Sequence, residues 1–228
     1  MPMAQIKPLF AVPIGEAFMP EAERLNAELK ALILAREREP ERWRNPYQSN
    51  QVAADTFESD FTFFSWPEPC VRTLRDFCWS HLAHLVAQLN GYTPPEMDEI
   101  VIQSHTWFHV TRHGGYFGNH NHPMASWSGV YCVSTGDSDP AYPLSGVLRM
   151  LNPTMLANMF VDPGNQRIRQ PYGMAAHHVH FRPGQLILFP SWLIHEVLPF
   201  YGTGERITIA FNCWFKRTSE LRPEEIER

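Results

Sequence analysis

A chain of 228 residues that is 44% hydrophobic is long and apolar enough to bury a sizeable core, which excludes a disordered chain. Its net charge of -5 gives no general attraction to nucleic acid. No apolar run approaches the ~20 residues that span a bilayer, and no secretory leader is visible, so a cytoplasmic protein without membrane partners is expected. Cys70, Cys78, Cys132 and Cys213 form no C-x-x-C pair and read as buried free thiols.

Residues 6–18 read as an extended segment. Pro20 is placed to open a helix at its first position, and Ala22, Leu25, Leu29, Leu32 and Ile33 then recur at helical spacing until Pro40 stops it. The charged run at 36–39 reads as a solvated helix end. Residues 41–64 are irregular and polar, closing on Phe61, Phe63 and Phe64. Ser65-Trp66-Pro67-Glu68 has the pattern of a capping box. The helix that follows runs to Asn90, with Gly91 as its C-terminal residue and Leu74, Cys78, Leu82, Leu85 and Leu89 as its buried stripe.

From Glu99 the period shortens to that of strands. Segments 99–111, 117–124, 127–134, 146–151, 178–182, 185–190, 194–200 and 206–215 are short and β-rich, with Gly, Pro, Asn or Asp between them. Eight strands without intervening long helices predict a mainly β protein with N-terminal helices, its core a cupin-like jelly roll or double-stranded β-helix. The chain then divides into a helical extension (1–98), a β-helix core (99–215) and a tail (216–228). The stretch 152–177 reads as a long lid or binding loop.

His120 and His122 lie two apart, so on a strand their side chains share a face. His195, at the end of the apolar run from Leu186, can supply a third imidazole. Three ligands on one face with an open opposite side suit a mononuclear iron that activates oxygen, although imidazole also binds zinc, copper and nickel. On the last strand Arg206, Thr208, Ala210 and Asn212 alternate with apolar residues and face one side. An inward arginine needs a counter-ion, no carboxylate accompanies it in sequence, and a ligand carboxylate held bidentately is one solution. His178 and His180 read as a polar loop entering a strand. Tyr116, Asn119 and Trp127 flank the His-x-His segment and are candidate substrate contacts. Trp192 is expected to pack under His195.

The ordered set Ser104-x-x-Trp107, Gly114-Gly115-Tyr116, His120-x-His122-Pro123, Ser128-Gly129-Val130-Tyr131, Phe189-Pro190-Ser191, His195 and Arg206-x-Thr208-x-x-Phe211-Asn212 resembles the 2-oxoglutarate- and iron(II)-dependent oxygenases, and most closely a bacterial and phage group within them. The resemblance covers about residues 100–215. It implies iron ligands at His120 and His195, with His122 standing where the usual pattern has a carboxylate. It implies that Arg206 and Thr208 bind the distal carboxylate of 2-oxoglutarate, with Ser128 and Asn212 in the same co-substrate site. The chemistry implied is decarboxylation of 2-oxoglutarate to succinate and CO2 with O2, coupled to hydroxylation of a small molecule or a peptide. Two positions depart from the pattern. Cys132 replaces a tyrosine that touches the co-substrate in related enzymes. His109 replaces an asparagine and reads either as a candidate substrate contact or as a hydrogen-bonded core histidine.

Two rival readings stay open at this point. One is a three-histidine cupin dioxygenase that needs no 2-oxoglutarate, against which Arg206 argues. The other is a non-catalytic metal- or ligand-binding barrel. Homodimerisation is also left open.

Overall fold

Two antiparallel sheets form the core of the protein, seen in a computed structural model that describes residues 3–47, 55–156 and 160–221. In chain order the elements are β1 (Gly15–Phe18), α1 (Ala22–Glu37), α2 (Pro40–Trp43), β2 (Thr56–Glu58), α3 (Pro69–Asn90), α4 (Pro94–Asp98), β3 (Ile100–Thr111), β4 (Phe117–His120), β5 (Trp127–Ser138), β6 (Leu148–Met150), β7 (His177–Val179), β8 (Gln185–Pro190), β9 (His195–Val197) and β10 (Gly202–Arg217). The larger sheet has the order β1-β8-β5-β10-β3-β2 and the smaller β4-β9-β6-β7. This is the jelly roll that the strand pattern predicts.

The core has two parts because strands buried on both faces serve two neighbours. On β8, Leu186 and Leu188 pack toward the helices, beside Leu29 and Ile33 of α1 and Val71, Leu74, Cys78 and Leu82 of α3. Ile187 and Phe189 of the same strand point the other way, to Leu148, Met150 and Val179 of the smaller sheet. The Tyr131 hydroxyl donates to Asn26 Oδ1 at 2.8 Å and ties β5 to α1. The four cysteines are buried and free, as expected. Among the described residues no helix is long and apolar enough to cross a membrane.

Several local expectations are corrected. Pro20 lies before α1, in the turn that takes the chain off β1, and Glu21 caps the helix in a left-handed conformation (φ 49°). No capping box forms at Ser65: its hydroxyl donates to the Thr62 carbonyl, and Glu68 turns instead to Arg36 at 2.8 Å. The box appears at Thr93 and Glu96, opening α4. Residues 36–39 are not simply solvated, because the Arg36 guanidinium also stacks over Trp43 and Glu37 binds Arg112 at 2.6 Å. The buried row of α3 runs Leu74–Cys78–Leu82–Val86 at i+4 spacing, which leaves Leu89 50% exposed. Gly91 ends the helix as expected, at φ 71°, with its N–H on Ala87 O. β1, β2 and α4 are too short to declare themselves by periodicity.

Candidate metal centre and co-substrate cavity

The three histidines meet where the smaller sheet begins. β4 ends on His120, which pairs in register with His195 at the start of β9. His122 lies beyond β4, so it is not the strand neighbour that the spacing suggested. Its backbone N–H donates to Ser191 O at 2.8 Å, and that bond turns its ring back toward the other two. One nitrogen from each ring lies within 4.8 Å of the others, a spacing that one ion could draw together. Among the described residues this is the only cluster of three or more such side chains, and no carboxylate joins it.

Second partners orient two of the rings. A carbonyl can only accept, so His120 Nδ1–H donates to Gly118 O at 2.7 Å and His195 Nδ1–H to Leu193 O at 2.8 Å. Each Nε2 is thereby left as a free lone pair, the form a metal needs. Among the described residues nothing hydrogen-bonds the His122 ring; Asn121 donates to Trp192 O instead. Burial, reinforced by the neighbouring imidazoles, lowers all three pKa values, His195 to about 3 and His122 to about 4. All three rings are therefore neutral at pH 7. Phe189, not Trp192, lies against His195, with ring centroids 4.8 Å apart; Trp192 is half exposed.

Across the cavity, β10 alternates as its sequence predicts. Ile207, Ile209, Phe211 and Cys213 join the helix-side core. Arg206, Thr208, Ala210 and Asn212 line the cavity that holds the histidines. Arg206 is only 4% exposed and donates from Nε to Gly146 O at 3.0 Å. No carboxylate pairs with it among the described residues, and burial holds its pKa below the ordinary value. Gly146 has φ +63°, and a Cβ there would come within 2.9 Å of Arg206 Cδ, so this position keeps room for the guanidinium. Ser128 also lines the cavity; its Oγ donates to Asn212 Oδ1 at 2.7 Å and lies 2.8 Å from Ser191 Oγ. Cys132 pairs with Thr208 across β5 and β10, and burial pushes its thiol up to about 12.

Residues 105–212 match the family model described as putative 2OG-Fe(II) oxygenase. The β-core is that of a 2-oxoglutarate- and iron(II)-dependent oxygenase. Solved structures share the oxygenase fold at low identity. A Pseudomonas putida prolyl-4-hydroxylase is 18% identical, with TM-score 0.53, and the alignment covers 90% of this chain and 93% of that one. A Trichoplax adhaerens prolyl hydroxylase, solved with a hypoxia-inducible-factor peptide, is 13% identical, with TM-score 0.56 and coverage of 88% and 83%. An alpha-ketoglutarate-dependent carbocyclase of nogalamycin biosynthesis is 10% identical, with TM-score 0.55 and coverage of 89% and 79%. No curated protein sequence matches the chain.

Not every predicted site residue reaches the oxygenase cavity. His109 does, 9% exposed and with its ring centroid 4.1 Å from that of Phe117. Tyr116 and Asn119 are exposed on the surface outside it, and Trp127 packs half-buried on the helix-side core. The sequence reading missed Glu58, Phe61 and Phe117. With Trp107, His109 and Asn45 they line a mouth of about 360 Å³ that opens onto His120 and His122. The sequence carried no signal for Glu58, which sits on a three-residue strand.

Proposed function

We propose that this oxygenase hydroxylates a small molecule, with His120, His122 and His195 holding iron and Arg206 and Thr208 holding the distal carboxylate of 2-oxoglutarate. Bound together, iron and 2-oxoglutarate supply the oxidative decarboxylation to succinate and CO2 that drives oxidation of a C–H bond with O2. Within the chain, the Gly118 and Leu193 carbonyls keep two imidazoles in the ligating tautomer. Ser128 anchors Asn212 at the cavity wall. The aromatic side chains of Phe61, Trp107 and Phe117 line the entrance and favour a substrate with an apolar or planar part. A mouth of about 360 Å³ is in the range of small-molecule pockets, which supports the substrate class.

The observation that carries this reading is the buried Arg206, without an acid among the described residues, in the same cavity as three neutral imidazoles. A three-histidine dioxygenase that needs no 2-oxoglutarate would give the guanidinium a partner only through an acidic substrate, and succinate release separates the two readings. Arg206→Ala should weaken 2-oxoglutarate by on the order of 2–5 kcal/mol, much of it from a carboxylate left unpaired. The iron-loaded protein should release succinate from 2-oxoglutarate. A substrate screen should find a compound that gains the mass of one oxygen; a peptide as the sole hit would move the substrate class. Equal 2-oxoglutarate affinity in wild type and Arg206→Ala would refute the co-substrate assignment.

A further inference from the structure

Among the described residues the glutamates that are at least half-buried follow one pattern, with one exception. Among the described residues Glu37 meets Arg112, Glu68 meets Arg36, Glu196 meets Arg149 and Glu205 meets Lys30. Glu58, whose side chain is only 17% exposed, meets no lysine or arginine. Its Oε1 accepts from Asn45 Nδ2 at 2.7 Å, and its Oε2 lies 2.9 Å from His109 Nε2. Arg206 is the complementary case, a buried cation with no acid among the described residues.

A line of strand pairings runs from Glu58 to Thr208, two residues along β10 from Arg206. Glu58 is opposite His109 across β2 and β3, and His109 is opposite Thr208 across β3 and β10. Glu58 and His109 share the cavity mouth with His120 and His122. His109 Nε2 also lies 3.0 Å from Trp107 Nε1. The indole can only donate and the carboxylate can only accept, so one ring nitrogen cannot serve both. A proton on Nε2 given to Glu58 makes the charge-assisted bond, the stronger choice. Burial alone would raise the Glu58 carboxyl, but the bonds from His109 and Asn45 and the nearby imidazoles outweigh it and hold it below the usual carboxylate range.

Charge accounting then singles out Glu58. Three neutral imidazoles bring no negative charge to a divalent ion. With a dianionic co-substrate and the Arg206 guanidinium, the cavity is left with one net positive charge. A ligand set containing one carboxylate would leave none. We infer that Glu58, held at the cavity wall by His109, supplies from outside the ligand set the negative charge that three histidines lack. The inference rests on the three histidines being the metal ligands. It makes Glu58 a positioning residue for charge, one that touches neither metal nor co-substrate.

The role predicts effects of opposite sign. A nearby anion strengthens binding of a divalent cation and weakens binding of a dianion. In the full-length protein, Glu58→Gln should therefore lower the affinity for Co2+ or Fe2+ alone by about tenfold, measured anaerobically against a competing chelator. In the Co2+-loaded protein the same change should tighten 2-oxoglutarate severalfold by calorimetry. Glu58→Asp, which keeps the charge, should move both values back toward wild type. Adding His122→Asp to Glu58→Gln should restore metal affinity by returning a carboxylate to the ion. His109→Asn, which removes the link, should shift both affinities in the same directions as Glu58→Gln but less. Affinities that fall together would mean that Glu58 only supports the fold, and unchanged affinities would mean that its charge is idle; either result overturns the inference. Failure of the ligand reading is separately visible, as equal Co2+ binding by wild type and His195→Ala.

Discussion

The larger sheet carries Arg206, Thr208 and Asn212 on β10, a strand of 16 residues hydrogen-bonded along both edges, to β3 and to β5. The smaller sheet carries its histidines at and just beyond the ends of strands of three and four residues. Thr208, Ala210 and Asn212 are each flanked by neighbours sunk in the helix-side core, and Arg206 is set by Ile207 beside it and by pairing with Thr111 of β3 and Thr135 of β5. The histidines owe their positions to a few backbone contacts: the His120–His195 pairing, the Gly118 and Leu193 carbonyls and the bond from His122 N–H to Ser191 O. One sheet couples site to stability, and the other keeps them apart.

The largest effect tests that contrast directly. Phe211 is fully buried and touches Phe64 and Trp79 at ring distances of 5.8 and 4.9 Å. Phe211→Ala should cost about 3–5 kcal/mol of stability. His120→Ala, half-buried in the smaller sheet, should leave denaturant unfolding nearly unchanged while removing metal binding. Comparable midpoint shifts in the two variants would break the contrast.

A second, smaller effect is alkaline. Cys132 on β5 and Cys213 on β10 are both pushed up to about 12 by burial. Their thiols ionise in the unfolded chain near pH 8.5, well before they do in the folded one. A group raised on folding contributes stability that is intact below its unfolded pKa and lost as pH rises toward the folded value. Stability should therefore fall from about pH 8.5 upward, by about 2 kcal/mol per thiol at pH 10. The double variant Cys132→Ala/Cys213→Ala should flatten that limb in thermal melts across this range. A limb of unchanged slope would locate the alkaline sensitivity elsewhere.

The smallest effect lies at the cavity floor. Ser128→Ala removes the donor to Asn212 and a partner of Ser191, which should cost about 1 kcal/mol of stability. It should raise the KM for 2-oxoglutarate modestly and leave metal affinity alone. A loss of metal binding in this variant would tie the floor of the larger sheet to the histidines and blur the division between the sheets.

Much of the fold was legible because its signals are local. The alternation of β10, the apolar run of β8 and Gly91 after α3 each name a conformation through side chains a few residues apart. The three histidines, Arg206, Thr208, Ser128 and Asn212 were legible from a motif order, supported on β10 by the strand period, and all of them line one cavity. What failed depended on partners far along the chain. Glu68 could have capped its own helix but binds Arg36, 32 residues away. Tyr116 and Asn119 sit beside the histidines in sequence, yet Asn119 on β4 and Tyr116 just before that strand are both exposed. Glu58 reaches the mouth only because an edge strand of three residues sets it opposite His109, 51 residues on.

The alternation of β10 also limits how this protein can change length. From Arg206 to Cys213 successive side chains belong by turns to the cavity and to the core, and the strand is paired on both edges throughout. Inserting or deleting one residue here would drive the guanidinium into the apolar layer and bring isoleucines into the cavity, a loss of both in one step. Of the two irregularities in its pairing with β5, the one between Thr203 and Arg206 lies ahead of that run on β10, and the one between Ile207 and Thr208 is taken up by an extra residue on β5. Single-residue length changes are therefore absorbed on the Gly202–Glu205 side of Arg206, and a scan of one-residue deletions along β10 should show tolerance ending at that arginine.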